Sequence, residues 1–154
     1  ETITPETQYE WVYQRNGVTV FPIIDGKVRL LRKATLDNPT FRSRPVSGYV
    51  EDGEDPLDCA KRELAEELGV VAEEWELFTT TEGEGGLKKT QSFFLARKLT
   101  PFQGIIEQDP NEHIAGTIDL GPDEALARTL NGEFGTASNA YALLKLIFQF
   151  LEGG

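Results

Sequence analysis

Residues 48–70 read GYVEDGEDPLDCAKRELAEELGV and bring Arg62, Glu63, Glu66 and Glu67 together behind a glycine-containing loop. Asp55 followed by Pro56 is a helix start, a carboxylate N-cap with proline at the first helical position, and Gly69 is a natural stop. The spacing therefore predicts a helix over 56–68. At about 100° per residue, Leu57, Ala60, Leu64 and Leu68 share one stripe and Glu63, Glu66 and Glu67 the neighbouring one. One side packs; the other presents three carboxylates. Charges so close repel one another, and Arg62, four residues before Glu66, cannot offset them alone. A hard divalent cation can. Such an oxygen cluster suits Mg²⁺ or Mn²⁺, and Mg²⁺ is commonly shared with substrate phosphates. The helix reads as half of a site that a phosphorylated ligand completes.

As a template the segment is Gly48, five residues, Glu54, seven residues, Arg62-Glu63, an aliphatic, one residue, Glu66-Glu67, one residue, Gly69, an aliphatic. A chance match to so many specified positions is on the order of 10⁻⁸ for average residue usage. The competing explanation, a solvated acidic helix, accounts for the charge but not for the spacing.

The chain of 154 residues fits one domain, 1–154, and can bury a sizeable core. Its net charge of −11, from 15 basic and 26 acidic residues, argues against a broad grip on a nucleic-acid backbone. The single cysteine, Cys59, falls inside the predicted helix, which points to a reducing compartment and a structural thiol. With no apolar run long enough for a membrane span and no signal-like start, a soluble cytoplasmic protein is expected.

The elements that must hold the helix can be followed along the chain. Gly17 to Ile24 and Lys27 to Arg32 look like strands joined by a tight turn at Asp25-Gly26. Residues 34–47 read as a polar loop, Trp75–Thr81, Thr90–Leu99 and Ile114–Leu120 as strands, and 82–86 as a flexible connection. Pro122–Leu130 and Ala137–Leu151 read as helices, the second with Tyr141, Leu144, Ile147, Phe148 and Leu151 along one face. Helices interspersed among strands of mixed direction imply an α/β/α sandwich with a mixed β-sheet.

The segment resembles the sequence box of Nudix hydrolases, and the order of elements around it resembles that fold over nearly the whole chain. The resemblance implies metal-dependent cleavage of a nucleoside diphosphate linked to another moiety. Glu63, Glu66 and Glu67 match the metal-binding glutamates, and the backbone carbonyl of Ser47 a further ligand. Glu54 matches the loop glutamate that supports the site and Arg62 the arginine that orients a neighbouring glutamate. Within the family, the segments 107–114, 120–127 and 131–133 are similar to the ADP-ribose and nucleotide-sugar pyrophosphatase branch, which implies a further acidic residue from a loop. Glu112 matches best, as base or ligand, and Glu107 second. Two departures touch substrate loops: Arg44-Pro-Val-Ser-Gly48 replaces Glu-Leu-Pro-Ala-Gly, and Thr81-Glu-Gly83 replaces Ser-Pro-Gly. Dinucleoside polyphosphates, nucleoside triphosphates and a non-catalytic nucleotide-sugar sensor stand as alternatives.

Arg32, Arg42 and Arg44 flank the box and are expected to contact phosphate, because a guanidinium can bind it bidentately. Phe41 and Tyr49 could stack on a base or sugar, Trp75 is expected to pack, and His113 lacks a partner for proton transfer. A homodimer, common in the ADP-ribose branch, could use residues 1–16, where Tyr9, Trp11 and Tyr13 alternate like a half-buried strand.

Overall fold

The structure, a computed structural model, describes residues 10–153. In chain order it forms β1 (Val12–Tyr13), β2 (Gly17–Ile24), β3 (Lys27–Thr35), β4 (Arg42–Arg44), β5 (Val46–Tyr49), α1 (Pro56–Leu68), β6 (Val70–Glu82), β7 (Leu87–Lys88), β8 (Thr90–Pro101), β9 (Glu112–Leu120), α2 (Pro122–Leu130) and α3 (Ala137–Gly153). Asp25 and Gly26, with φ of 51° and 73°, close the β2–β3 hairpin. Two consecutive positive φ angles match the right-handed twist of the strands they join.

The main sheet runs β4-β3-β2-β8-β6, with β5 added on β2 and β9 on β3. The β2–β8 pairing is parallel and the others are antiparallel, so the sheet is mixed, as expected. Period-two alternation assigns its faces. On one face Val18 and Val20 of β2 and Phe94 and Ala96 of β8 pack against Cys59, Ala60 and Leu64 of α1. On the other, Phe21, Phe93 and Leu95 pack against Ala125 of α2 and Ala142, Leu143, Leu146 and Ile147 of α3. The result is the expected α/β/α sandwich, with the carboxylate helix alone on its side of the sheet.

Two sequence readings are corrected. The segment 34–47 is not a loop throughout, because β4 and the start of β5 lie in it and fasten the entry to the box onto β3 and β2. The buried face of α3 is Ala142, Leu143, Leu146 and Ile147, whereas Tyr141 and Phe148 are exposed. An all-round apolar helix gives several similar stripes, and contact with α2 selects among them. Trp75 packs edge-on to Phe94, with ring centroids 6.3 Å apart. Val12–Tyr13 pairs within the chain with Leu87–Lys88; Tyr9 and the side chain of Leu151 lie outside the described residues.

Candidate active site

Helix α1 begins as its sequence requires. The Asp55 carboxylate accepts the Leu57 N–H at 2.8 Å, Pro56 occupies the first turn, and Gly69, at φ 69°, ends the helix with its N–H on the Ala65 carbonyl. Glu63 and Glu67 are both 8% exposed, while Glu66 is half-buried. Three carboxylates on a helix flank pressed to a sheet edge need compensation, and two cations supply it.

Arg62 is the first. Its Nε and Nη2 donate to the two oxygens of Glu54, each at 3.0 Å, and Nη1 donates to Glu63 at 2.9 Å and Glu66 at 3.4 Å. Nη2 also reaches the Tyr49 carbonyl at 3.2 Å, tying the helix to β5. This fork holds the Glu54 carboxyl down at about 2. The second cation, Lys33 of β3, was not singled out by the sequence reading. It is 3% exposed, its Nζ donates to Glu67 Oε1, and it lies 3.1 Å from Glu112 Oε1. The other Glu67 oxygen accepts the Ser47 N–H at 3.0 Å. A lysine on the inward register of a strand, two residues after buried Leu31, is the signal that could have found it.

Glu112 reaches this cluster because of a bulge. The β3–β9 register shifts between Arg32 and Lys33, leaving Ala115 as the extra residue. An inserted residue reverses which face later side chains occupy. Ile118 therefore packs on the α2–α3 side, whereas Ile114 packs on the α1 side, and Glu112 follows Ile114 toward Glu66 and Glu67, with which it lines one crevice. Glu107 instead lines a neighbouring, largely apolar recess with Val71, Phe102, Ile105 and Ile106, which borders the cluster at Arg62 and Glu66 but does not include Glu67 or Glu112.

Burial pushes the Glu63 carboxyl up to about 7 and the Glu67 carboxyl up to about 8, against the pull of Arg62 and Lys33 respectively. Burial also works to strip the charge from Lys33, but attraction to Glu67 and Glu112 outweighs it and leaves the ammonium pKa raised. Two cations thus face five carboxylates, Glu54 included, and leave them short of positive charge. In this arrangement, among the described residues, no three acidic, His or Cys side chains close on one point as a metal cage. The donor set nevertheless fits a hard divalent cation: all ligating atoms are oxygens, they share a helix flank and a strand start, and their ionisation is under-compensated. Gly48 fits this economy of space, because a Cβ there would lie 2.0 Å from Glu63 Oε1.

Beside the carboxylates opens a cleft of about 500 Å³ lined by Lys33, Arg44, Ser47, Gly48, Tyr49, Lys89 and Gln91, with Glu112 on its rim. Arg44 Nε and Nη2 are buried without a hydrogen-bond partner. Tyr49 carries Lys89 and Arg15 over its ring, 5.1 and 5.6 Å from the centroid. Its lining sets Lys33, Arg44 and Lys89 against Asp37, Asp109 and Glu112, so it is balanced in formal charge, and the unpartnered nitrogens mark Arg44 as the group short of an anion. Of the three arginines named from sequence, Arg44 lies here. Arg32 and Arg42 line another cleft, of about 630 Å³, with Phe41, Arg128 and Glu133. Cys59 is fully buried, its thiol pushed up to about 12 by burial, which suits a structural residue. His113 is exposed on β9.

Comparison with known proteins agrees with this geometry. The family model of the NUDIX domain matches residues 13–133. No curated protein matches the chain. Among solved structures, an ADP compounds hydrolase superposes with a TM-score of 0.75 at 21% identity, covering 90% of this chain and 74% of that one. A NUDIX hydrolase from Nitrosomonas europaea gives 0.67 at 18% identity, covering 90% and 89%. A protein from Deinococcus radiodurans gives 0.65 at 20% identity, covering 94% and 90%. At these identities the likeness is one of fold.

Proposed function

The chain belongs to the NUDIX family and is a pyrophosphohydrolase, and from that premise we propose that it cleaves ADP-ribose or a nucleotide sugar to a nucleoside monophosphate and a sugar phosphate. The observation that carries the substrate class is the adjacency of two unlike halves. Glu63, Glu66, Glu67 and Glu112 gather on one side, and on the other Arg44, two of whose nitrogens are buried without a hydrogen-bond partner, lines the cleft. A diphosphate bridges such a pair, because its oxygens can bind a guanidinium and share a metal at once. The fold likeness to an ADP compounds hydrolase supports the choice of linked moiety, as does placement of Glu112, rather than Glu107, beside Glu67.

Glu63, Glu66 and Glu67, with the Ser47 carbonyl, would hold Mg²⁺ or Mn²⁺. When bound, such an ion lowers the pKa of water and neutralises charge on phosphoryl oxygens. The remaining work falls to side chains of the chain itself. Arg62, fixed by Glu54, holds Glu63 and Glu66 in position, and Glu112 accepts the proton of the attacking water. Arg44, with Lys89 beside it, binds and orients the diphosphate. Arg32 and Arg42, in their separate cleft, are not assigned to the scissile diphosphate.

The same reading makes the protein a cytoplasmic enzyme of small nucleotides rather than of nucleic acids or membranes. Among the described residues no helix is long and apolar enough to cross a membrane. The test is product analysis with Mg²⁺ over ADP-ribose, nucleotide sugars, a dinucleoside polyphosphate and nucleoside triphosphates, beside Glu67→Gln. Monophosphate plus sugar phosphate, lost in the variant, is the expected result. Preference for a polyphosphate would refute the substrate class, and tight binding without turnover would favour a sensor.

A further inference from the structure

Lys33 is the more confined of the two cations that meet the carboxylates. Its side chain is 4% exposed, and its ammonium touches Glu67 and lies 3.1 Å from Glu112. These are the two carboxylates contributed by different elements, α1 and β9, so Lys33 is what joins the helix half of the site to the bulged strand. It occupies an oxygen of Glu67, one of the carboxylates read as holding the divalent cation, and an ammonium and a metal ion compete for that oxygen. Lys33 also lines the cleft that holds Arg44, Asp37 and Asp109, so the displaced ammonium has a space to enter in which those carboxylates or a bound phosphate can receive it.

Resting on the metal-site reading above, we propose that Lys33 is a built-in, exchangeable counter-ion: it holds Glu67 and Glu112 together before metal binds, and the metal must displace it. Lys33 is thus a positioning residue that sets metal affinity through competition, not a ligand. A purely structural salt bridge would behave otherwise, because it would persist when metal binds and its loss would weaken both forms alike.

The test is metal binding by the folded full chain, measured by calorimetry with Mg²⁺ and by electron paramagnetic resonance with Mn²⁺. Wild type is compared with Lys33→Met, Lys33→Gln and Lys33→Arg. Mildly alkaline buffer keeps a proton from replacing the lost ammonium as competitor. With a cation removed from within a few ångströms of the incoming ion, Lys33→Met should bind metal at least about tenfold more tightly, and Lys33→Arg should stay near wild type. The metal-induced rise in Tm should be larger in Lys33→Met, because only its metal-free form lacks compensation. Lys33→Gln, which keeps a hydrogen-bond donor, gives the same reading if Lys33→Met does not fold. Unchanged or weaker metal binding in the neutral variants overturns the competition. Wild type that binds no metal overturns the inference together with the reading beneath it, whereas normal wild-type binding with unresponsive variants overturns the inference alone.

Discussion

Gly48 is where a single methyl group should separate catalysis from folding. Its φ is not in the left-handed region, and it lies within β5 opposite Val18, so the backbone itself tolerates alanine. Space does not. The added Cβ would stand 2.0 Å from Glu63 Oε1 and 2.1 Å from Cδ, where ordinary contact begins at 3.4 Å, so the carboxylate must retreat by about 1.4 Å. That movement breaks the 2.9 Å contact with Arg62 and carries a carboxylate proposed to hold the metal off its position. Misplacement of about 1 Å can cost about 100-fold in rate, which is about 2.7 kcal/mol of barrier. Because the obstructing group is the mobile end of a side chain, the stability loss should sit near the low end of the overpacking range, about 1 kcal/mol. The assay is kcat for release of the monophosphate in saturating Mg²⁺, paired with Tm. A Gly48→Ala variant that folds and turns over within about threefold of wild type refutes the reasoning, since about 100-fold is the loss expected from this displacement.

Three further outcomes follow from the same geometry. Glu112→Gln should lower kcat by at least about 100-fold while Glu107→Gln leaves it unchanged; paired kinetics check this, and equal losses would void the bulge argument. Arg44→Met should raise KM roughly ten- to a hundredfold without lowering Tm, because a buried guanidinium with unpartnered nitrogens costs stability; a lower Tm would mean that it has partners. The metal-free protein should lose stability as pH rises. The carboxyls of Glu63 and Glu67 move from an ordinary 4.5 to about 7 and about 8 on folding, so over that window the folded state binds more protons than the unfolded one. Their favourable contribution is complete below 4.5 and is lost through the folded values. Tm against pH, with and without Mg²⁺, checks this, and a Tm of the metal-free form that rises over the same window would contradict it.

The helix of the site was legible in full, because its determinants are local. Asp55, Pro56 and Gly69 set its ends, and a 3.6-residue period set which side carries Leu64 and which carries Glu67. The hairpin turn at Asp25-Gly26 was legible for the same reason. The segment 34–47 was not. Its strands are short and polar, and they exist because β3 and β2 offer edges to pair with, a fact held by the partners rather than by residues 42–47.

The arginines expected from sequence to contact phosphate show a different limit. Arg32, Arg42 and Arg44 are near the box in sequence, but a strand sends neighbouring side chains to opposite faces. Arg32 is exposed while Lys33, the next residue, is buried against Glu67, so proximity in sequence did not single out the cation of β3 that meets the carboxylates. The right one depends on register, and on β9 register depends on a single extra residue. Without the bulge at Ala115, alternation would carry Glu112 to the side of Ile118 and Leu120, across the sheet from α1. How the ladder absorbs one extra residue therefore decides whether the fourth carboxylate faces the other three. Deleting Ala115 would keep Ile114 opposite Lys33 and Glu112 opposite Thr35, so that variant should retain the site, whereas a regular pairing of Ala115 with Lys33 would turn Glu112 away.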